Sequence, residues 1–353
     1  MRTRSDFSNA GSNDDFIDHC YRLALGRPAD SSGKRFYRGM LESGVGRDEV
    51  VYRISTSDES INRLLAASFV MQDLRELRPD RFRDAVATDG KPVPVFDVES
   101  AEDFDWLEHA ILEYGYYEKP GIWSLGVDED KRRMAAMLSL LRPQRCLEIG
   151  CSSGAVVSCL LERGIAAEGV EISAMAIRRA APETRQHIHH ADLLTLELPR
   201  SFDLVYGLDV FEHFNPNRLD EYLACVAALT SPGGLVFVNV PTWGEDRVYG
   251  TIWEPYLSSW QDDLARNRLF RSIEVDAAGY PVLGHLVWAG SRWWEERFEE
   301  AGLHREPEVE RALHQRFDAE LAETPARKAF YVFSRAADSS RLDEVIAGCR
   351  TSS

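Results

Sequence analysis

Cysteine is scarce in this chain: six in 353 residues, at 20, 146, 151, 159, 225 and 349, with no C-x-x-C pair. That spacing excludes a disulfide framework and the usual arrangement of a structural zinc site, and it leaves reduced thiols lying mostly in apolar runs. Long apolar runs are missing as well. No stretch approaches the length that crosses a bilayer, and Met1 to Asp15 is polar, without the apolar core of a secretory signal. A cytoplasmic protein is the expectation. Positive charge is also in short supply, with 41 Lys and Arg against 58 Asp and Glu and a net charge of −17. Such a balance repels phosphate backbones and anionic membrane surfaces, so neither nucleic acid nor membrane is an expected partner.

The length suffices for a substantial core and two domains. Residues 1–12 are polar and rich in Ser and Asn, the composition of a disordered segment. From 13 to 77 the apolar spacing is helical and the helices are short: Phe16, Ile17, Cys20, Tyr21, Leu23 and Ala24 share a face, Gly26-Arg27-Pro28 stops that helix, and Asp30-Ser31-Ser32-Gly33 starts the next. Residues 78–104 hold Pro79, Pro92 and Pro94 among alternating charges and read as a linker. The remainder to 335 is expected to form one α/β domain, with an insertion over 242–290. Residues 336–353 read as a loose tail or a peripheral helix.

Within that domain, Arg145-Cys146-Leu147-Glu148-Ile149-Gly150-Cys151-Ser152-Ser153-Gly154 reads as a buried strand running into a glycine turn that opens a helix. Gly150 permits a sharp turn, Gly154 lets the helix pack close to the sheet, and the free N–H groups of the helix face whatever lies above. Glu171 ends a second apolar run, 21 positions beyond Gly150. A carboxylate at that distance, on the tip of the next strand, suits both hydroxyls of a ribose. Nicotinamide dinucleotides and S-adenosylmethionine both fit this much. A dinucleotide site, however, expects G-x-G-x-x-G, whereas here Glu148 precedes the turn and Ser152 takes the middle glycine position.

Glu-x-Gly at a strand end resembles the first motif of class I S-adenosylmethionine-dependent methyltransferases. The resemblance continues through His189-His190-Ala191-Asp192-Leu193, Ser201-Phe202-Asp203-Leu204-Val205-Tyr206 and Ser231-Pro232-Gly233-Gly234-Leu235-Val236-Phe237-Val238, in the order of that family's third, fourth and fifth strands. It implies a Rossmann-like seven-stranded sheet with helices on both faces, here preceded by a small all-α domain. It also implies S-adenosyl-L-methionine as cofactor, held by Glu148, Gly150, Cys151, Ser152, Gly154, Glu171, Ile172, Asp192 and Leu193. Ala329-Phe330-Tyr331-Val332-Phe333-Ser334 would close the sheet. The run Tyr21-Arg22-Leu23-Ala24-Leu25-Gly26-Arg27-Pro28-Ala29-Asp30, followed by Gly33 and Tyr37, resembles a helical domain of unknown function, DUF4214, found in bacterial proteins linked to the cell surface and its glycans. Docking of a protein or glycan partner, or presentation of substrate, is its expected role. Its polar turn residues are better read as helix caps than as a ligand site.

Chemistry is expected just after the fourth strand, where ligands collect at the carboxyl ends of such a sheet. Gly207-Leu208-Asp209-Val210-Phe211-Glu212-His213-Phe214 stands there, and His213 is the natural base because imidazole titrates near neutrality. Asp209, Glu212 and His213 also have the spacing of metal-dependent O-methyltransferases, in which a downstream His completes the site. His285 stands where that residue would fall. Asp209, Glu212, His213 and His285 are therefore candidate ligands for Mg²⁺, Mn²⁺ or Zn²⁺. The alternative is a metal-free pocket in which Asp209, His213 and His285 surround the transferred methyl. Tyr116 to Trp123 is a loop of aromatics and turn formers that would wall water from the sulfonium or cover a satellite hydrophobic cluster. Trp243, Tyr249, Trp253, Tyr256 and Trp260 suit either a sugar-stacking wall or the core of a cap. The expected acceptor is a small molecule or a glycan precursor bearing a hydroxyl, and a non-catalytic scaffold with the same fold is the rival class.

Overall fold

In the computed structural model, residues 11–55, 57, 59, 60, 63, 71–119, 126–198, 202–335 and 339–351 are described. Two units emerge, Met1–Val70 with Lys119–Ser124, and Met71–Glu118 with Leu125–Ser353. The segment 1–12, expected to be disordered, lies outside the described residues up to position 10.

The first unit is built from the helices Asn13–Leu25, Ser31–Glu42 and Arg47–Ser55. Ser12 and Asp15 form a capping box at the start of the first, and Asp30 accepts the backbone N–H of Gly33 at 2.8 Å to cap the second. Phe16, Ile17, Cys20, Tyr21, Val50 and Ile54 make its core. Asp30 also pairs with Arg27, so its polar turn is occupied with capping.

The second unit is α/β. Its strands are β1 (Phe82–Val86), β2 (Pro92–Asp97), β3 (Arg145–Ile149), β4 (Ala166–Glu171), β5 (Ile188–His190), β6 (Phe202–Leu208), β7 (Thr230–Asn239), β8 (Glu245–Asp246), β9 (Gly250–Thr251), β10 (Ser272–Glu274), β11 (His304–Arg305) and β12 (Phe330–Ser334). The main sheet has seven strands in the order β11-β12-β7-β6-β3-β4-β5. Strands β3 to β7 are parallel, and β12 runs antiparallel to β7. From β3 the chain lays β4 and β5 to one side, then crosses to lay β6 and β7 on the other. The order therefore reverses between β3 and β6, and a cleft opens at their carboxyl ends.

Alternation along β3 sends Leu147 and Ile149 into one core and Cys146 into the other. Helices Glu129–Leu140, Ala155–Glu162 and Pro307–Phe317 cover the Cys146 side through Met134, Leu138, Val157, Leu160 and Leu313. Helices Leu219–Leu229 and Ser291–Glu300 cover the other through Leu223, Val226, Trp294 and Phe298. The helix Ser339–Thr351, in the stretch expected to be a loose tail or a peripheral helix, buries Val345 and Cys349 in the first of these cores.

Residues 78–104 are not a linker. They carry β1 and β2, a hairpin that β10 extends to a three-stranded sheet by pairing Ile273 with Phe96. Pro92 and Pro94 hid it. Both lie outside the three residues of β2 that pair with β10, so their missing N–H groups cost that pairing nothing. The helix that follows begins at Ala101, inside the stretch expected to be a linker, with buried Asp103 accepting the backbone N–H groups of Glu99 and Ser100.

The insertion packs its rings on one another. Trp260 is fully buried and meets Trp243 at 4.8 Å, Tyr256 at 4.6 Å and Trp288 at 5.1 Å between ring centres. Trp243 and Trp288 are buried as well and form the core of a cap, while Tyr249, Trp253 and Tyr256 are half-buried.

Candidate active site

The glycine turn sits where β3 ends. Gly150 has φ +65°, and a Cβ there would lie 2.3 Å from Val210 Cγ2, so both the turn and the approach of the 210 segment require glycine. Ser152 holds φ +53° and has its buried hydroxyl without a hydrogen-bond partner. Cys151 is buried and donates its backbone N–H to Val170 at 3.1 Å. Gly154 then opens the helix Ala155–Glu162.

Carboxylates line the strand ends around this turn. Glu171 accepts the backbone N–H groups of Ser152 and Ser173, each at 2.7 Å, which ties the turn to the end of β4. Burial raises its carboxyl above the ordinary range, and those amides oppose the shift. Glu148 lies opposite Tyr206 in the β3/β6 register and accepts its hydroxyl at 3.1 Å. Burial pushes Glu148 up to about 8, with the Tyr206 hydroxyl acting the other way. Beyond β5, Asp192 accepts the Tyr222 hydroxyl at 3.0 and 3.2 Å and the Leu194 N–H at 2.9 Å. Leu193 is buried, while Ile172 is 46% exposed, an apolar side chain next to Glu171 that an adenine face would cover.

After β6, a turn Phe211–His213 brings the second group together. The backbone N–H groups of Leu286 and Val287 donate to the Glu212 carbonyl at 2.8 and 2.9 Å, and Trp288 Nε1 donates to the His285 carbonyl at 2.8 Å. These bonds carry His285, far away in sequence, to His213; the rings stand nearly perpendicular with centres 4.9 Å apart. Glu212, His213 and His285 offer ligand atoms within 4.8 Å of one another. His213 Nδ1 faces the Gly284 carbonyl at 3.1 Å and the Tyr117 hydroxyl at 3.4 Å. Burial holds His213 down to about 4, and burial with the neighbouring His213 holds His285 well below its ordinary range. Both imidazoles are neutral near pH 7. Glu212 is fully buried and pushed well upward by desolvation and by Asp209, and neither of its carboxylate oxygens accepts a hydrogen bond among the described residues.

Asp209 departs from the expected set of four. Its Oδ2 lies 2.5 Å from Arg327 Nη1, its backbone has φ +51°, and it stands outside the group formed by Glu212, His213 and His285. Arg327 was not anticipated, and it also binds Asn239 Oδ1 at 2.7 Å and Asp130 Oδ2 at 3.0 Å. Its partners are distant in sequence and nothing local marks it. Tyr206 and Tyr222 were missed as well; a tyrosine inside a buried strand or helix face needs a partner for its hydroxyl, and that was the available signal. Of the aromatic loop, Tyr116 and Tyr117 are described, with the Tyr117 carbonyl accepting Ser173 Oγ at 3.2 Å, whereas positions 120 to 123 lie outside the described residues.

A parallel sheet that reverses direction beside a glycine turn, with acids on the tips of its first three strands, defines an enzyme domain for a nucleoside-bearing cofactor. Residues 127–306 match the model of a family described as a methyltransferase domain, and the chain belongs to that family, with the class I S-adenosylmethionine-dependent fold. Residues 4–64 match a domain of unknown function, DUF4214. Among curated proteins, the chain is 30% identical over 129 residues to a ubiquinone biosynthesis O-methyltransferase of Idiomarina loihiensis, covering 33% of this chain and 51% of that protein. It is 28% identical over 110 residues to the protein of that name from Paracidovorax citrulli, covering 29% and 45%. The chain thus spans about half the length of these relatives. Among solved structures it resembles 1,6-didemethyltoxoflavin-N1-methyltransferase of Burkholderia thailandensis, at 14% identity and a TM-score of 0.43 over 69% of this chain and 96% of that one. An amino pentose methyltransferase from Micromonospora echinaspora gives 19% identity and a TM-score of 0.39 over 64% and 97%.

The residues around the turn fit S-adenosylmethionine. The unpartnered Ser152 hydroxyl, the exposed Ile172 and the three strand-tip acids offer what a ribose, an adenine and a cationic methionine end require. No helix among the described residues is long and apolar enough to cross a membrane.

Proposed function

We propose that this protein methylates a hydroxyl oxygen of its acceptor. The cofactor supplies a methyl group on a sulfonium, which is already a good leaving group. Glu148, Gly150, Cys151, Ser152, Gly154, Glu171, Ile172, Asp192 and Leu193 hold it, with Glu171 on the ribose and Asp192 on the adenine amino group. When bound, it would offer that methyl to the acceptor oxygen, with the carbon–sulfur electron pair leaving on sulfur. His213, a weak base because burial holds it down to about 4, would take the hydroxyl proton only as the oxygen bonds to the methyl carbon and the O–H becomes strongly acidic. His285 and Asp209 line this region, and Tyr117 shields it from water. The observation that carries the reading is the meeting of neutral His213 and His285 with Glu212 just beyond β6, beside the cleft where the strand order reverses.

A second reading of the same chemistry is favoured by the two unpartnered oxygens of buried Glu212. Glu212, His213 and His285 would then hold a divalent cation, which would lower the pKa of the acceptor hydroxyl. Chelator treatment separates the two: turnover lost and restored by one divalent ion supports the cation, and turnover untouched supports His213 as a metal-free base. For the acceptor we favour a sugar or glycan precursor, on the resemblance of residues 4–64 to DUF4214; Trp243, Trp260 and Trp288 of the insertion are buried against one another and lend it no support.

Calorimetry with S-adenosylmethionine tests the foundation. Binding by the unaltered protein and its loss in Glu171→Ala are expected; absence of binding, or binding unchanged by Glu171→Ala, overturns the proposal. S-adenosylhomocysteine formed with glycan pools but not with other hydroxyl compounds supports the acceptor class, and the reverse pattern rejects it. None formed with any pool supports a scaffold.

A further inference from the structure

Among the acids around the cleft stands Arg327. Its guanidinium is 16% exposed, with Nε on Asp130 and Nη1 shared between Asp209 and Asn239. Those partners belong to the start of the helix Glu129–Leu140, the turn after β6 and the end of β7. The cation is thereby fixed at the carboxyl edge of the sheet, beside the ends of β6 and β7. Its charge draws down the carboxyls of both Glu148 and Glu212, against the burial that raises them. A guanidinium has five N–H groups, and the two on Nη2 meet no acceptor among the described residues.

We propose that Arg327 is the receptor for the α-carboxylate of the cofactor's methionine end. This rests on the assignment of S-adenosylmethionine to the cleft. The methionine end carries three charges: a sulfonium, an ammonium and a carboxylate. Glu148, Asp209 and Asp130 answer the two cations. The carboxylate, in a cleft this acidic, would be repelled without a fixed positive group, and Arg327 supplies one that its own acid partners hold in place. A planar guanidinium with both Nη2 hydrogens uncommitted suits a carboxylate better than an ammonium would.

The alternative is that Arg327 only ties Asp130, Asp209 and Asn239 together, and the two roles separate in binding without any acceptor. Decarboxylated S-adenosylmethionine keeps the sulfonium and amine and lacks the carboxylate. An acidic cleft with no carboxylate receptor favours that more cationic ligand. Calorimetry is expected to show the unaltered protein binding S-adenosylmethionine about tenfold or more tightly than the decarboxylated compound. Arg327→Gln should erase the preference, and Arg327→Lys should retain part of it. Thermal unfolding of each variant verifies the fold.

A preference preserved in a folded Arg327→Gln, with both ligands weakened alike, overturns the proposal in favour of the tie. Equal affinity of the unaltered protein for both compounds overturns it with no variant needed, even should the glutamine variant fail to fold. Failure of the unaltered protein to bind either ligand sinks the cofactor assignment itself, and the carboxylate receptor with it.

Discussion

His285 Nε2 stands 3.6 Å from Glu212 Oε1, and neither oxygen of that carboxylate accepts a hydrogen bond among the described residues. Burial raises the Glu212 carboxyl in the folded chain, whereas in the unfolded chain it titrates near 4.5. Ionisation between those two values therefore favours unfolding, and stability declines as pH rises above 4.5. Glu212→Gln keeps the shape and removes that loss. In chelator-treated protein the variant should be more stable than the unaltered chain at pH 7 by roughly 1–3 kcal/mol, with little difference at pH 4. Urea unfolding at the two pH values reads this directly. A variant less stable at pH 7 would mean that the carboxylate is paired in solution.

Glu148 yields a prediction of the opposite kind, in binding. Its carboxyl is pushed to about 8 by burial, so most of it is protonated at pH 6. A cationic ligand favours the ionised form, and binding then releases a proton. Affinity for S-adenosylmethionine should rise between pH 5.5 and 7 by up to about tenfold per pH unit. The window stops at 7 because α-amino groups themselves begin to titrate at about 7.7–8.0. Calorimetry in two buffers of different ionisation enthalpy measures the released proton, and Glu148→Gln should abolish both the proton and the pH slope. Flat affinity in the unaltered protein would show that Glu148 is already ionised when the cleft is empty.

Nothing in the sequence names a partner for Tyr222, yet its hydroxyl meets both oxygens of Asp192 while its ring stacks on Phe214 at 4.1 Å. Tyr222→Phe keeps the stack and frees Asp192 to turn. The expected outcome is roughly ten- to a hundredfold weaker S-adenosylmethionine binding, the worth of one hydrogen bond to a charged group, with a melting temperature changed by only a few degrees. Unchanged affinity would remove Asp192 from the adenine site.

What the sequence made legible was local. The glycine turn and the acids at the strand ends lie in short runs of sequence, and the order of the parallel strands follows from the resemblance those runs carry. Pairings across the chain were not legible. Arg327 reaches Asp209 over 118 positions, and Asp209 stands outside the group formed by Glu212, His213 and His285. The aromatics of the insertion have the composition of a sugar wall, and only the packing of Trp243 and Trp288 on fully buried Trp260 identifies these three as core. The two-residue strand β11 offers no periodicity at all.

The hairpin hidden by its prolines leads to a prediction about where the methyltransferase unit starts. Composition places that start at residue 105; the structure places it at Met71. Leu74, Val95 and Phe96 are fully buried, and Phe96 stacks on Trp106 at 5.7 Å. The Leu74 N–H donates to the Ala278 carbonyl at 2.8 Å, and Arg78 pairs with buried Asp103 at 3.0 Å. A chain begun at 105 loses these three apolar side chains, each worth about 1.5–3 kcal/mol on burial, and strips β10 of its only strand partner among the described residues. The sum rivals the roughly 5–15 kcal/mol that holds a whole domain together. Because β10 stands in the insertion that carries His285, the damage reaches the active site. Protein begun at Met71 should therefore unfold in one cooperative transition and bind S-adenosylmethionine, and protein begun at 105 should do neither. Matching melting temperatures for the two would show that the hairpin is an accessory and that the composition had placed the boundary correctly.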